Sequence, residues 1–259
     1  MSSIIPVSRE VHADKHWRRF ESYAFARRMM AVPLVASEIP NASTSMPLAF
    51  MRQDERYLPV ALMGLEQDSN LFVSPDGRWL ARYLPLALRA YPFSLALTKE
   101  GEQILCVDES SGLVGEGAGG EPFFTPQGSP SEGLTEIMVM LRQTEAHRVA
   151  SAAACALLAG QSLFRPWPIS VKGDAGERQL EGLYQIDESL LNELPDDAFL
   201  SLRQAGALSM AYFQLLSMQH LSLLGALAQA HGRAQASSPE TGAGFSLCQD
   251  DELQFDWDR

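Results

Sequence analysis

Cysteine and histidine are scarce in this chain, which has 259 residues, 3 cysteines and 5 histidines. Cys106, Cys155 and Cys248 lie far apart, and no Cys-x-x-Cys or Cys/His spacing accompanies them. Such a small, odd set argues against a disulfide framework and against a zinc site. We therefore expect free thiols, no cofactor and no bound metal.

One weak metal pattern is present at the start of the chain. His12-Ala13-Asp14 has the His-x-Asp spacing of iron(II) sites that use two histidines and one carboxylate. The second histidine would come from far along the chain, with His147 as the candidate. Dipeptide spacings of this kind are common by chance, and this one lies in a charged segment. We therefore expect that no metal is bound here.

Long apolar runs and an excess of positive charge are also missing. The first twenty residues carry no apolar core for a secretory signal, and no window holds the roughly 18 apolar residues of a spanning helix. The net charge is -12 and the pI about 4.8, which repels nucleic acid and anionic lipid. We expect a cytoplasmic protein without a membrane span or a nucleic-acid partner, although non-classical export would leave no such trace.

Recognisable catalytic motifs are absent as well. No Gly-x-Ser-x-Gly stretch is present, and the glycine-rich run GEGAGG at 115–120 fits neither a dinucleotide-binding nor a Walker A loop. That run contains Glu116, whose charge opposes a phosphate. The sequence names no catalytic residue, and a non-catalytic protein is the expectation.

The elements that are present predict an α+β fold, a largely antiparallel sheet of hairpins packed against C-terminal helices. Hairpins are predicted around Asp54, over 70–80 with a Pro75-Asp76-Gly77 turn, after Phe93 and around residues 172–176. A long irregular loop is expected over 112–128. Helices are predicted over 131–159, capped by Ser131, and over 207–231.

The predicted domain organisation is one domain over 1–235 and an acidic tail over 236–259. The tail is rich in glycine, serine and proline before it turns acidic, so we expect a disordered extension. Its end, LQFDWDR, carries large apolar side chains among acids, which indicates a docking segment. The apolar faces at 134–158 and 207–231 offer an interface for a homo-oligomer.

Residues 76–93, DGRWLARYLPLALRAYPF, concentrate rigid and cationic side chains. A helix over about 79–91 would place the arginines on related faces, whereas Pro85 fits better if the helix begins near Leu84. Two interpretations stay open, a carboxylate-binding site or arginines paired with the chain's own acids. The candidate ligand-binding residues are Arg78, Arg82, Tyr83, Arg89 and Tyr91.

Three segments resemble the bacterial SapC-like family. Residues 70–93, NLFVSPDGRWLARYLPLALRAYPF, are similar to its hallmark hairpin and Trp-x-x-x-Tyr-x-Pro-x-x-x-Arg-x-Tyr-Pro-Phe pattern. Residues 181–218 resemble its Gly-Leu-Tyr-x-Ile-Asp-Glu segment with the Gly-Ala-Leu helix that follows, and residues 25–51 also fit. The pattern residues are Trp79, Tyr83, Pro85, Arg89, Tyr91, Pro92 and Phe93.

The resemblance covers roughly residues 10–225 and implies a binding or accessory role. The family takes its name from an association with a bacterial surface layer. Its members are often seen among genes for outer-membrane TonB-dependent receptors and for flavin or cupin-type oxygenases. The resemblance implies a non-catalytic protein with a protein or peptide partner. The alternative is an enzyme that acts on peptides or small carboxylates near Arg82, Arg89, Tyr91 and the loop 112–122.

Overall fold

A computed structural model describes residues 3–98, 101–117, 119–173 and 176–236 of the chain. All strand pairs are antiparallel and helices cover them, so the predicted α+β class is confirmed. The predicted acidic tail lies, from residue 237 on, outside the described residues. No helix in the described part is both long and apolar enough to cross a bilayer.

The strands are short, and most belong to hairpins. They are β1 (Ile4–Pro6), β2 (Lys15–Trp17), β3 (Ala31–Pro33), β4 (Leu48–Gln53), β5 (Arg56–Leu62), β6 (Phe93–Leu97), β7 (Gln103–Asp108), β8 (Val114–Glu116), β9 (Glu121–Pro122), β10 (Phe164–Pro166), β11 (Ile169–Gly173), β12 (Gly176–Leu180) and β13 (Leu183–Ile186). They form sheets ordered β10-β13-β4-β5-β3, β1-β7-β6, β8-β2-β9 and β11-β12.

The helices range from single turns to one long rod. They are α1 (Arg9–His12), α2 (Ile39–Ala42), α3 (Leu86–Arg89), α4 (Glu132–Gly160), α5 (Glu188–Asn192), α6 (Asp196–Gln204), α7 (Ala207–Ser217) and α8 (Leu221–Ala236). Tyr23–Ala26, Glu109–Ser111 and Met218–His220 form 3₁₀ turns.

Two separate apolar clusters form the interior of the described residues. The larger lies under the five-stranded sheet and combines sheet residues such as Phe50 with side chains from α4 and α7, such as Leu158 and Met210. The smaller surrounds Trp17, which meets Phe93 edge-on at 4.9 Å between ring centroids. Burial of these apolar side chains is the main favourable term for both halves of the fold.

Helix α4 connects the two clusters. Leu134 and Ile137 in its first turns pack in the smaller cluster, while Cys155 and Leu158 in its last turns pack in the larger. Ser131 caps the helix, because its Oγ accepts from the Leu134 amide at 3.2 Å. The predicted cap is confirmed, and the helix ends at Gly160 within one residue of the predicted boundary.

The predicted helix over 207–231 is helical in the structure but is interrupted by one 3₁₀ turn. Helix α7 ends at Ser217, a 3₁₀ turn follows, and α8 begins at Leu221. Ser217 Oγ donates to the Gln214 carbonyl at 2.6 Å and accepts from the Leu48 amide at 2.9 Å. A serine hydroxyl that bonds back to the preceding turn loosens and bends a helix, which explains the break.

The predicted hairpins around Asp54, after Phe93 and around residues 172–176 are confirmed as β4-β5, β6-β7 and β11-β12. Residues 174 and 175 of the last turn lie outside the described residues. The hairpin predicted at 70–80 is only a tight turn closed by one bridge between Val73 and Trp79. Gly77 makes that turn at φ 87°, a conformation that suits glycine.

The predicted helix over 79–91 is wrong, because only Leu86–Arg89 is helical. Pro85 is extended, with φ -55° and ψ 142°, and it stands directly before the helix. A residue that precedes proline is pushed away from helical angles, so Leu84 cannot continue a helix. The alternative, a start near Leu84 with Pro85 in the first turn, comes within two residues, but the helix begins at Leu86 and Pro85 lies outside it.

The loop predicted over 112–128 contains two strands, β8 and β9, on either side of β2. Gly120 lies so close to β2 that a Cβ there would stand 2.4 Å from the Trp17 carbonyl oxygen. Glycine therefore has a packing role at this position. Trp17 is the last residue of β2.

Candidate functional site

The predicted arginines of residues 76–93 do not converge on one site. Arg78 pairs with Asp76, the two separated by 2.6 Å, within the tight turn. Arg89 donates to the Leu84 carbonyl at 2.9 Å, and its guanidinium lies 5.2 Å from the Tyr83 ring centroid. Arg82 is exposed, and no carboxylate among the described residues forms an ion pair with it.

Tyr83 serves to anchor a buried carboxylate. Its hydroxyl donates to Glu38 Oε2 at 2.9 Å, and the Leu86 amide donates to the same oxygen at 2.9 Å. Glu38 Oε1 accepts from the Val35 amide at 2.8 Å, and the residue is 3% exposed. Burial, with a further contribution from the Glu38 charge, raises the pKa of Tyr83, so its hydroxyl stays protonated and donates. These contacts fix α2 against α3.

Tyr91 is the predicted site residue that faces an open groove. The groove has a volume of about 500 Å³ and lies beside two chain segments, 17–25 and 88–93, that link the larger and the smaller cluster. We call it the Tyr91 groove and define it by its lining residues: Arg18, Arg19, Phe20, Glu21, Ser22, Ala24, Phe25, Tyr91, Ser110, Ser111 and Leu113. Junctions between packed units are common places for binding sites.

Three half-buried aromatic rings form the apolar wall of the groove. Phe25 stacks on Tyr91, with ring centroids 3.9 Å apart and the planes 3° from parallel. Phe20 meets Phe25 edge-on at 5.1 Å and Tyr91 at 6.2 Å. Partly exposed aromatic rings with polar neighbours are typical of surfaces that bind a partner.

Arg18 supplies an available positive charge to the groove. Its Nη2 lies 3.4 Å from the Gly112 carbonyl, and among the described residues it has no carboxylate partner. Arg19, in contrast, bonds Glu121 at 3.0 Å and Glu136 at 3.2 Å, and these bonds raise its pKa. Glu21 opposes the positive charge at the rim. Arg18 is thus the guanidinium that remains able to bind a carboxylate bidentately.

The hydroxyl of Tyr91 is the polar group of the aromatic wall. Burial and the nearby Asp108 charge raise the pKa of Tyr91, so the hydroxyl is protonated at neutral pH. A protonated phenol in the same groove as a guanidinium can donate to an acceptor on a bound chain.

A smaller cavity of about 220 Å³ adjoins the groove and shares Arg18 and Leu113 with it. Its wall includes His16, Glu116 and glycines of the predicted functional loop. The predicted proximity of Tyr91 to the start of the loop 112–122 is therefore found. Arg82 and Arg89, which the same hypothesis placed there, do not line either cavity.

His12, Asp14 and His147 are not assembled into a metal site. His12 is fully buried against Phe123, while Asp14 is exposed. His147 lies on α4, where its Nδ1 is 2.9 Å from Ser37 Oγ. Among the described residues, no group of three histidine, cysteine or carboxylate side chains is arranged to hold a metal.

Cys106, Cys155 and the Ser37–His147 pair do not have the surroundings of a catalytic nucleophile. Cys106 and Cys155 are free and buried, and burial raises the pKa of Cys155 to about 12. Such a thiol is protonated at neutral pH and is a poor nucleophile. Ser37 and His147 form a hydrogen-bonded pair, but both are exposed and no described carboxylate bonds to the histidine.

Comparison with family models decides the family. The model of SapC matches residues 7–224 of the chain. The chain belongs to the SapC family. The match includes all of the Tyr91 groove and stops before the acidic tail of this SapC-family chain. Comparison with curated proteins and comparison with solved structures each returned no match.

The sequence identified Tyr91 as a site candidate but missed Arg18, Phe20 and Phe25. The signal was present, since residues 15–28 are rich in arginine and aromatic residues in an otherwise acidic chain. Their convergence with Tyr91 depends on a 3₁₀ turn and on a sheet formed by distant segments, which local patterns do not reveal.

Proposed function

We propose that this SapC-family chain is a non-catalytic binding protein of surface-layer or outer-membrane receptor biology, acting from the cytoplasm. Its partner is a protein or peptide that presents an acidic segment to the Tyr91 groove. The observation that carries the proposal is that Arg18 lines the same groove as the Phe25-Tyr91 stack and has no carboxylate partner among the described residues. An acidic segment with an apolar or aromatic side chain complements both features.

The chemistry of the groove supports a peptide as its ligand. The groove is open, and its lining includes the aromatic wall, the Arg18 guanidinium, Ser110 and Ser111. A peptide carboxylate on Arg18 would gain a charge-assisted pair, and a side chain on Phe20 would bury apolar surface. The combination supports modest affinity that falls with salt.

The test is selection of a random peptide library on the wild-type chain and on Arg18→Glu. We expect peptides enriched in aspartate, glutamate and aromatic residues on the wild type, and loss of these peptides on the variant. Peptides that bind both proteins equally, or that share no acidic residue, would refute the proposal. Circular dichroism of Arg18→Glu confirms that the exposed substitution leaves the fold intact.

The predicted alternative is an enzyme acting on peptides or small carboxylates near Arg82 and Arg89. Its support is that Arg82 has no described carboxylate partner and that Arg89 contacts a ring and a carbonyl, not an acid. Turnover of peptide pools by the purified chain, abolished by Arg82→Ala, would establish this alternative and replace the binding proposal.

Self-association through 134–158 and 207–231 also remains a proposal. Tyr212 and Leu216 are 45% and 58% exposed and lie one turn apart on α7, which gives an apolar strip to such an interface. Light scattering that shows a concentration-dependent dimer, lost in Leu216→Lys, is the expected outcome. A monomer at every concentration would contradict it.

A further inference from the structure

The acidic tail has the chemistry that the Tyr91 groove is proposed to bind. Residues 237–259 contain six acidic residues and one arginine, a net charge of -5 out of -12 for the chain. The acids concentrate in DDELQFDWD, residues 250–258, where Phe255 and Trp257 alternate with aspartates. Aromatic side chains next to carboxylates match a wall of Phe20, Phe25 and Tyr91 beside Arg18.

The segment has the reach to meet the groove. The 19 residues from Ala236 to Phe255 span at most about 65 Å when extended. A domain of this size has a radius of gyration of about 17–18 Å, which corresponds to a sphere about 45 Å across. Most of the surface therefore lies within the reach of Phe255.

We propose that residues 250–258 occupy the Tyr91 groove of the same molecule, so that an external acidic peptide must displace them. The inference rests on the proposed function, because it names an occupant of the same groove. In this arrangement an aspartate of the segment pairs with Arg18, and Phe255 or Trp257 packs on Phe20 and the Phe25-Tyr91 stack.

A tethered segment competes strongly even when its own affinity is weak. A flexible tether holds it at an effective concentration of the order of 1 mM. If the segment binds with a Kd of about 100 μM, external peptides bind about tenfold more weakly than they do to an unoccupied groove. An external peptide would then occupy the groove only if its own affinity or concentration is high enough to displace the segment.

The test is hydroxyl-radical footprinting of the full chain against the full-length variant Phe255→Ala/Trp257→Ala. We expect Phe25 and Tyr91 to be oxidised at least about threefold faster in the variant, because their rings lose cover. Tyr212, which is 45% exposed on α7, is the internal control and should not change. A peptide from the library should also bind the variant about tenfold more tightly than the wild type.

Three outcomes would overturn the inference. Equal oxidation of Phe25 and Tyr91 in both proteins would show that the segment does not cover the groove. Protection that grows with protein concentration, together with a dimer in light scattering, would place the segment on a second copy instead. A library peptide that binds both proteins equally would exclude competition while leaving the proposed function standing. Conversely, a library without acidic peptides would refute the proposed function whatever the footprint shows.

Discussion

Glu38 illustrates how one buried carboxylate organises the segment that marks the family. It accepts hydrogen bonds from Val35, Tyr83 and Leu86. These bonds hold the start of α2 against the segment that leads into α3. Tyr83 in the pattern therefore has a carboxylate partner within the chain, whereas Arg89 contacts the Leu84 carbonyl and the Tyr83 ring. Ligand binding by Arg82 and Arg89, both exposed, stays a prediction.

Glu38→Gln should destabilise the chain by about 2–4 kcal/mol, because an amide nitrogen would then face a buried donor. Tyr83→Phe, which removes only one of the donors, should cost about 1–2 kcal/mol. Urea unfolding followed by circular dichroism measures both. A Glu38→Gln variant within about 0.5 kcal/mol of wild type would show that the carboxylate is not an anchor.

His12 should make stability depend on pH. Burial lowers its pKa below the ordinary 6.5, partly offset by the Ser8 hydrogen bond, while Lys15 lowers it further and Glu109 raises it. As the pH falls through 6.5 the unfolded chain takes up a proton that the folded chain resists, so the free energy of unfolding decreases. This loss continues down to the lowered pKa.

The check on His12 is urea unfolding at a series of pH values from 7.5 to about 5. His12→Gln keeps a polar group near the Ser8 carbonyl but cannot titrate, and it should flatten the decrease below pH 6.5. An unchanged slope in His12→Gln would assign the pH dependence to other groups.

At the scale of elements, the sequence predicted the helices and hairpins whose cap and turn residues lie within the element itself. Helix α4 carries its cap, Ser131, in the sequence, and the hairpins carry their turn residues, so both were predictable. The break at Ser217 was not, because it depends on a hydrogen bond to Leu48, 169 residues away in the chain. Likewise, β8 and β9 both pair with β2, which lies about 100 residues earlier in the chain, so local patterns do not reveal them.

Ser217→Ala should destabilise the chain by about 1–3 kcal/mol, because the buried Leu48 amide loses its acceptor. Ser222 is a matched control, since it is exposed and donates only to the Gln219 carbonyl. Ser222→Ala should change the free energy of unfolding by less than about 0.5 kcal/mol. Equal effects in the two variants, measured by urea unfolding, would contradict the account of the break.

At the scale of the whole molecule, the Tyr91 groove lies beside two chain segments that link the two apolar clusters. Residues 18–25 run from the smaller cluster at Trp17 to the larger one at Tyr23 and Phe25, and Tyr91 enters from the second chain segment that joins them. The fold class and the family were predictable from the sequence, whereas this junction was not. Arg18 and Tyr91 line one groove although they are 73 residues apart in the chain.

The most direct measurement is calorimetric titration of one acidic, aromatic peptide from the library into wild type, Arg18→Glu and Arg82→Glu. Both substitutions reverse an exposed arginine, but only Arg18 lines the groove. We predict that Arg18→Glu weakens binding at least about tenfold, since a charge-assisted pair contributes about 1.5–3 kcal/mol. The Kd of Arg82→Glu for the peptide should stay within about twofold of the wild-type Kd, which corresponds to a small change in binding free energy. Loss of binding in Arg82→Glu with Arg18→Glu unaffected would contradict the assignment of the Tyr91 groove as the binding site.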